Sequence, residues 1–336
     1  MDGRAVFVGA GGGYASVSMG TYQAKKPGPH EITVRIRANS LNYHDYAVVS
    51  GLWGPSEPRI PMADGAGEVV EIGAEVTDFK AGDAVVSVFF PGWDRGDPFF
   101  SDFRTVPGDG VDGYAREWVT LPTCNFTHAP KTFTHTESAT LTTAALTAWR
   151  CLMVDTAIKP GDTLVVQGTG GVSIFALQFA KMAGARVIAT TGSEAKEASL
   201  LAHGADAVIN YRTTPIWSDR VLELTDGRGA DHTLDVAGTV TLPESINATR
   251  VGGHISLVGI LSGMTVDLNF LPALLKQIRL QGVLVGSRTQ QVEMIRAIDQ
   301  NRLKPVIAET YPLESMVEGF QFLESQRHFG KICLSF

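Results

Sequence analysis

The sequence predicts an α/β protein: a doubly wound parallel sheet joined to a second, β-rich domain. Three observations predict it. Strand–loop–helix units recur after about residue 130, short strands and turns fill the stretch before it, and 336 residues suit two modest domains better than one. With hydrophobic residues at 44% and charged residues at 19%, the mix is that of a globular chain and excludes wholesale disorder. The 36 glycines follow no collagen-like period and point to tight turns and close backbone approaches. A formal net charge of -7 argues against a nucleic-acid binder.

Up to about His128, residues 32–36 alternate apolar and polar, and residues 67–72 and 84–89 are strand-like, with Gly, Pro and Asp clusters between them. Beyond Pro130, strands are expected at Thr163–Gln167, Arg186–Thr191, Ala207–Asn210 and residues 232–236, 254–260 and 278–285. Helices are expected at residues 172–183, 193–203, 216–224 and 241–250; Gly184 and Gly204 suit helix ends, and Ser193 an N-cap. Six strands with helical crossovers make a doubly wound sheet. A last helix (313–325) and strand (330–334) would overfill that sheet and are expected to return to the β-rich part. The expected domains are therefore 1–128 and 129–300, with 301–336 rejoining the first.

Three cysteines, Cys124, Cys151 and Cys333, lie too far apart for a disulfide framework or a Cys-rich metal site. The start, MDGRAVFVG, has no basic head, and no run of 18 apolar residues occurs, so a soluble cytoplasmic protein without membrane partners is expected.

The chemistry begins at Gln167, where the first parallel strand runs into Gly168-Thr169-Gly170-Gly171-Val172-Ser173 and then an apolar helix. A pyrophosphate must touch backbone N–H groups at a helix N-terminus, where side chains would obstruct it. Gly168 permits the sharp turn, Gly170 the close approach, and Ser173 is the small residue in the third glycine's place. A lone G-x-G-x-x-G is weak evidence; here it follows a strand, opens a helix and begins five further strand–helix steps. A dinucleotide cofactor is expected. An NAD site normally ends the next strand with Asp or Glu. Here that place reads Thr190-Thr191-Gly192-Ser193, with Lys196 soon after. Hydroxyls and a cation suit a 2′-phosphate, so NADPH is preferred over NADH, with Glu194 the dissenting residue.

With these residues placed, the chain resembles the zinc-independent, quinone-oxidoreductase-like and alcohol-dehydrogenase-like branch of the medium-chain dehydrogenase/reductase superfamily. The landmarks are Leu41-Asn-Tyr-His-Asp45, Asp64-Gly-Ala-Gly-Glu68, Lys80-Ala-Gly-Asp83, residues 139–149, residues 167–173, residues 204–211, Gly252-Gly253 and His328-Phe-Gly-Lys331. The resemblance covers nearly the whole length. It implies a GroES-like catalytic domain completed by the C-terminal tail, beside a Rossmann domain. It also implies Lys196 and Tyr211 at the 2′-phosphate, Gln326 or Arg327 as a further basic-side contact, and Gly259 and Thr143 lining the cofactor site. A homodimer through residues 278–285 is implied too.

Zinc-dependent relatives hold the metal with Cys, His and Cys; matching puts Asn42, Ala63 and Thr143 at those places, and no cysteine falls near residues 90–115. No metal is expected. Hydride transfer belongs to the nicotinamide, so the protein must position an acceptor and satisfy developing negative charge. Asn42, Tyr43, His44 and Tyr46 sit where the zinc pocket would lie. Asn42 is a candidate for binding the substrate oxygen or the nicotinamide ribose, with loop capping as the alternative. Tyr43 and Tyr46 are candidate donors or packing aromatics, and His44 a proton relay or a structural histidine. The run Phe89 to Phe103, rich in aromatics, and Trp53 wall an apolar pocket, form a small core or meet a subunit. The leading expectation is an NADPH-dependent, zinc-free reductase of enones, quinones or related activated carbonyl compounds, taking a small apolar substrate. The alternatives are a metal-free alcohol dehydrogenase acting on simple ketones or aldehydes, and a non-catalytic NADPH-binding protein.

Overall fold

In the computed structural model, residues 2–99 and 102–336 are described. The chain opens with an antiparallel hairpin of β1 (Asp2–Val8) and β2 (Val17–Gln23), paired from Asp2↔Gln23 to Val8↔Val17. Between them Gly11, Gly12 and Gly13 all have positive φ, a left-handed path that side chains resist. Next come β3 (Glu31–Ser40), the short helix α1 (Tyr43–Ser50), β4 (Ala66–Ile72), β5 (Ala84–Ser87), β6 (Trp118–Pro122) and β7 (Phe126–His128). The alternation in β3 sends Ile32, Val34 and Ile36 inward, where they meet Val69, Val85, Tyr114, Val119 and Phe126.

Helix α2 (His135–Ala139) starts at a Thr134–Glu137 capping box. The helical path continues through a wide π turn, Leu141–Ala145, then α3 (Leu146–Trp149) and a second wide turn, Arg150–Asp155. Such widened turns recur at functional sites.

The strand–helix repeat follows: β8 (Thr163–Gln167), α4 (Gly171–Met182), β9 (Arg186–Thr191), α5 (Glu194–Ala202), β10 (Ala207–Asn210), α6 (Trp217–Leu224), β11 (Ala230–Asp235), α7 (Leu242–Ala248), β12 (Thr249–Leu257), α8 (Leu271–Leu275) and β13 (Arg279–Gly282). All pairings in this sheet are parallel, in the order β10-β9-β8-β11-β12-β13. The order reverses beside β8, so the loop after β8 stands at the switch point where open α/β sheets bind ligands. Thus the expected doubly wound sheet is present.

The chain ends with α9 (Arg288–Asn301), β14 (Ile307–Pro312), α10 (Met316–Glu324) and β15 (Lys331–Ser335). β15 runs antiparallel to β3, with Cys333 opposite Ser40, and β14 lies parallel beside it. The chain divides into two compact units: one runs to Leu146 and resumes from Val285 to Phe336, the other is Thr147–Leu284. Residues 129–146 and 285–300, which the sequence reading assigned to the dinucleotide domain of 129–300, thus belong with the β-rich unit. The reason is local. Gln291 on α9 donates to the Ser87 carbonyl (2.9 Å) and to Thr127 (2.7 Å), which ties that helix to β5 and β7.

Candidate active site

In the Thr147–Leu284 unit, α4 begins with Gly170 as N-cap, and no side chain caps it. Its first N–H groups and its dipole therefore favour an anion. Gly168 has φ +72, and nothing lies within 4 Å of where a Cβ on Gly168 or Gly170 would stand. The space above the turn is open. Ser173, buried, donates to the Gln167 carbonyl (2.7 Å), fastening the helix start to β8. The Thr169 hydroxyl accepts from the Lys196 ammonium (3.0 Å). The loop and α5 are thereby brought together, and burial pushes the Lys196 ammonium below its usual range.

Thr191 is buried, and its hydroxyl accepts the Ser193 N–H (3.1 Å), while its carbonyl accepts the Tyr211 N–H (3.0 Å). The Tyr211 hydroxyl would come within 2.5 Å of a Cβ on Gly192, so the ring lies over that glycine. Thr191, Ser193, Lys196 and Tyr211 therefore gather around one strand end. Glu194 turns to a cavity of about 430 Å³ that it shares with Glu197, Asn210 and Arg220. At Gly259 a Cβ would meet the Val236 carbonyl oxygen at 2.1 Å; only glycine fits there. Arg327 lies in the other unit, over the Phe322 ring and against the Ser325 hydroxyl (3.3 Å).

The β-rich unit holds a buried polar cluster at the N-terminus of α1. Asp45 reaches back to accept the Asn42 N–H (3.0 Å) and, with its other oxygen, the Ala63 N–H (2.8 Å). The Asn42 amide donates to Asp64 (2.9 Å), to Asp45 (3.1 Å) and to the Ser40 carbonyl (3.2 Å). Its oxygen accepts from the Lys331 ammonium, which also donates to the Leu41 carbonyl (2.5 Å). Thr143, in the wide turn, donates to the remaining Asp64 oxygen (2.6 Å). Burial pushes the Asp64 carboxyl up, to about 7, against the opposing pull of Lys331 and with help from Asp45. Burial likewise pushes the Lys331 ammonium down.

The four candidates on and before α1 are thus differently employed. The Asn42 amide is engaged on both atoms inside the cluster and positions its neighbours. His44 Nε2 meets Asp109 (3.0 Å); its Nδ1 is buried, 4.0 Å from Asp45, so neither nitrogen faces outward. The Tyr46 hydroxyl donates to Glu324 (3.1 Å), and burial together with that carboxylate raises it. Tyr43 is half-buried, with its ring 5.6 Å from Tyr46 and 6.3 Å from Trp53. Trp53 stacks in turn on Phe103 (6.4 Å). Phe89, Phe90 and Trp93 are fully buried and form a core beneath the long loop. Phe100 lies outside the described residues.

Sequence reasoning gave no role to Asp64, Lys331 or Asp109. The motifs around Asp64 and Lys331 signalled that these positions matter, but both meet at Asn42, and Lys331 reaches it across 289 positions of chain.

Zinc does not fit this cluster. The Asn42 oxygen already accepts an ammonium, Ala63 offers only a methyl group, and the Thr143 hydroxyl is turned to Asp64. Among the described residues no group of three or more His, Cys, Asp or Glu side chains is placed to hold a metal. The glycine turn of the other unit, by contrast, does fit a dinucleotide pyrophosphate.

Residues 28–131 match the alcohol dehydrogenase GroES-like domain and residues 171–300 the zinc-binding dehydrogenase domain. The zinc-type alcohol dehydrogenase-like protein C1773.06c of Schizosaccharomyces pombe is 37% identical over 320 residues, 92% of each chain. The chain belongs to the medium-chain dehydrogenase/reductase superfamily. This medium-chain oxidoreductase has the fold of a putative alcohol dehydrogenase from Sinorhizobium meliloti 1021, with TM-score 0.93, 37% identity and coverage of 100% and 98% of the two chains. A second solved structure, titled an NAD-dependent alcohol dehydrogenase, gives TM-score 0.90 at 35% identity and 99% coverage of both. The quinone oxidoreductase of Homo sapiens is 26% identical over 88% of this medium-chain protein and 85% of its own length. Members of the superfamily bind NAD(P).

Proposed function

We propose that this chain is an NADPH-dependent reductase of enones, quinones or related activated carbonyl compounds that works without zinc. The observation that carries the reading is the Lys331 ammonium bound to Asn42, the residue matched to a zinc-holding position of zinc-dependent relatives. With no Lewis acid to polarise a bare carbonyl, acceptors that delocalise the incoming charge are the ones within reach. The match to a quinone oxidoreductase supports the same class.

When bound, the nicotinamide supplies the hydride. The chain's own groups do the rest. The α4 N-terminus and Gly168–Ser173 turn hold the pyrophosphate, and the partly desolvated Lys196 gains a counter-charge from a 2′-phosphate, with Ser193 and Tyr211 beside it. Tyr43, Trp53 and Phe103 offer an aromatic wall to a small apolar substrate.

The test is a consumption assay with 2-cyclohexenone, a quinone and simple ketones, run with NADPH and with NADH after chelation of metals. Turnover of the enone or quinone with NADPH favoured is expected. Turnover of simple ketones alone would replace this reading with that of a metal-free alcohol dehydrogenase; the two similar solved structures are named alcohol dehydrogenases. Preference for NADH would overturn the cofactor assignment, and tight NADPH binding without turnover would leave a binding protein.

A further inference from the structure

The buried cluster under α1 carries a charge imbalance. Asp45 and Asp64 contribute two carboxyl groups, Lys331 one ammonium, and Asn42, Ser40 and Thr143 none. His44 faces Asp45 from the helix, and Cys333 lies beside Lys331 on β15. Two anions against one cation, at exposures of 2%, 0% and 3%, are costly, and one bound proton removes the excess charge. Of the two carboxyls, Asp45 meets a backbone N–H at each oxygen, and such donors cannot reverse to accept a proton. Asp64 accepts a side-chain amide and a hydroxyl, and the hydroxyl can reverse its bond. The proton therefore belongs on Asp64 Oδ1, facing Thr143 Oγ1.

Thr143 is the outer end of this cluster. It stands in the wide turn Leu141–Ala145, half-buried where the residues on both sides are buried. A carboxyl proton on Asp64 Oδ1 donates to Thr143 Oγ1 and turns the hydroxyl proton away from Asp64. Such a pair can pass a proton outward in one concerted step.

We propose that Thr143 is the proton donor of the reduction and that Asp64 recharges it. The inference rests on the reductase reading above. As the substrate accepts a hydride, its carbonyl oxygen gains a negative charge. That oxygen takes the Thr143 hydroxyl proton, Thr143 takes the proton of Asp64, and Asp64 is left as a carboxylate held by Asn42 and close to Lys331. Solvent returns the proton before the next cycle. The sum is one hydride and one proton added to the substrate, giving an enol or a hydroquinone. Asn42, Asp45 and Lys331 are positioning residues in this scheme.

Two measurements test it. Infrared spectra of the cofactor-free protein should show the carbonyl stretch of a buried protonated carboxyl at pH 6, shifted in Thr143→Val, absent in Asp64→Asn, and titrating away as the pH rises through neutrality. In the assay, Thr143→Val should lower kcat on the order of 100-fold with KM little changed, while Thr143→Ser, which keeps the hydroxyl, retains most of the rate. An absent carboxyl band in the wild-type protein, or a Thr143→Val enzyme within about twofold of wild type, would overturn the proposal. If no enone or quinone is reduced at all, the reductase reading fails, and the infrared experiment still decides where the proton lies.

Discussion

Gly170 and Gly259 are both glycines for reasons of space, but of opposite kinds. Above Gly170 the space is open and its φ of -73 suits any residue, so alanine there leaves the fold intact and fills the volume a pyrophosphate needs. Gly170→Ala should keep the melting temperature and weaken NADPH binding roughly tenfold or more, measured by titration calorimetry. At Gly259 the obstacle is a backbone carbonyl on the neighbouring strand end, which cannot swing aside. Gly259→Ala should cost about 2–3 kcal/mol of stability in urea unfolding. Asp231 makes a third residue-scale case. Burial alone would raise its carboxyl, but hydrogen bonds from Arg228, the Thr163 N–H and Arg250 outweigh that and hold it far below the usual carboxylate range. A depressed carboxyl gives stability that is complete above its unfolded pKa and is lost as the pH falls toward the folded value. Asp231→Asn should therefore cost about 2 kcal/mol at neutral pH and flatten the loss of stability below about pH 4, followed by thermal melts across that range.

At the scale of elements, α9 shows what was legible and what was not. Ser287 and Gln290 form a capping box, and Gln291, Met294, Ile295 and Ile298 recur at helical spacing along the buried face. That signal is in the sequence, although the strand–helix reading passes over it, because the apolar run 278–285 draws attention to the strand before it. Ser287→Ala should cost about 1 kcal/mol, seen as a lower urea midpoint with an unchanged slope. The strands β8, β9 and β10 fall on the expected residues, since each is a short apolar run bounded by glycine or polar turns. β12 starts earlier than the expected 254–260, at Thr249: α7 stops at Ala248, short of the expected 250, and the strand takes up Gly252 and Gly253. The wide turns of residues 141–155 leave no mark on periodicity. Nor does the pairing of Lys331 with Asn42, which depends on β15 lying beside β3, a long-range register no local spacing encodes. Phosphate cradles are local and therefore readable; the buried cluster is assembled by topology.

At the scale of the whole molecule, the open edge of the parallel sheet demands an explanation. β13 ends the strand order, and all four of its residues, Arg279 to Gly282, are exposed. An unpaired strand edge is a template for another chain. Close to it in sequence, Phe270 and Leu274 are 68% and 72% exposed, with Leu271, Leu275, Leu280 and Leu284 also in solvent. Monomeric proteins rarely leave so much contiguous chain apolar. A second copy of this chain, placing its own β13 against the first by a two-fold axis, would continue the sheet and cover both apolar runs, since a two-fold interface presents the same surface twice. Light scattering behind a sizing column should therefore give twice the 36.0 kDa mass at micromolar concentration. Leu274→Glu with Leu280→Lys should give a monomer that still binds NADPH, because neither residue is among those gathered at the glycine turn. A wild-type protein that runs at 36.0 kDa would show that the exposed edge has another partner or none.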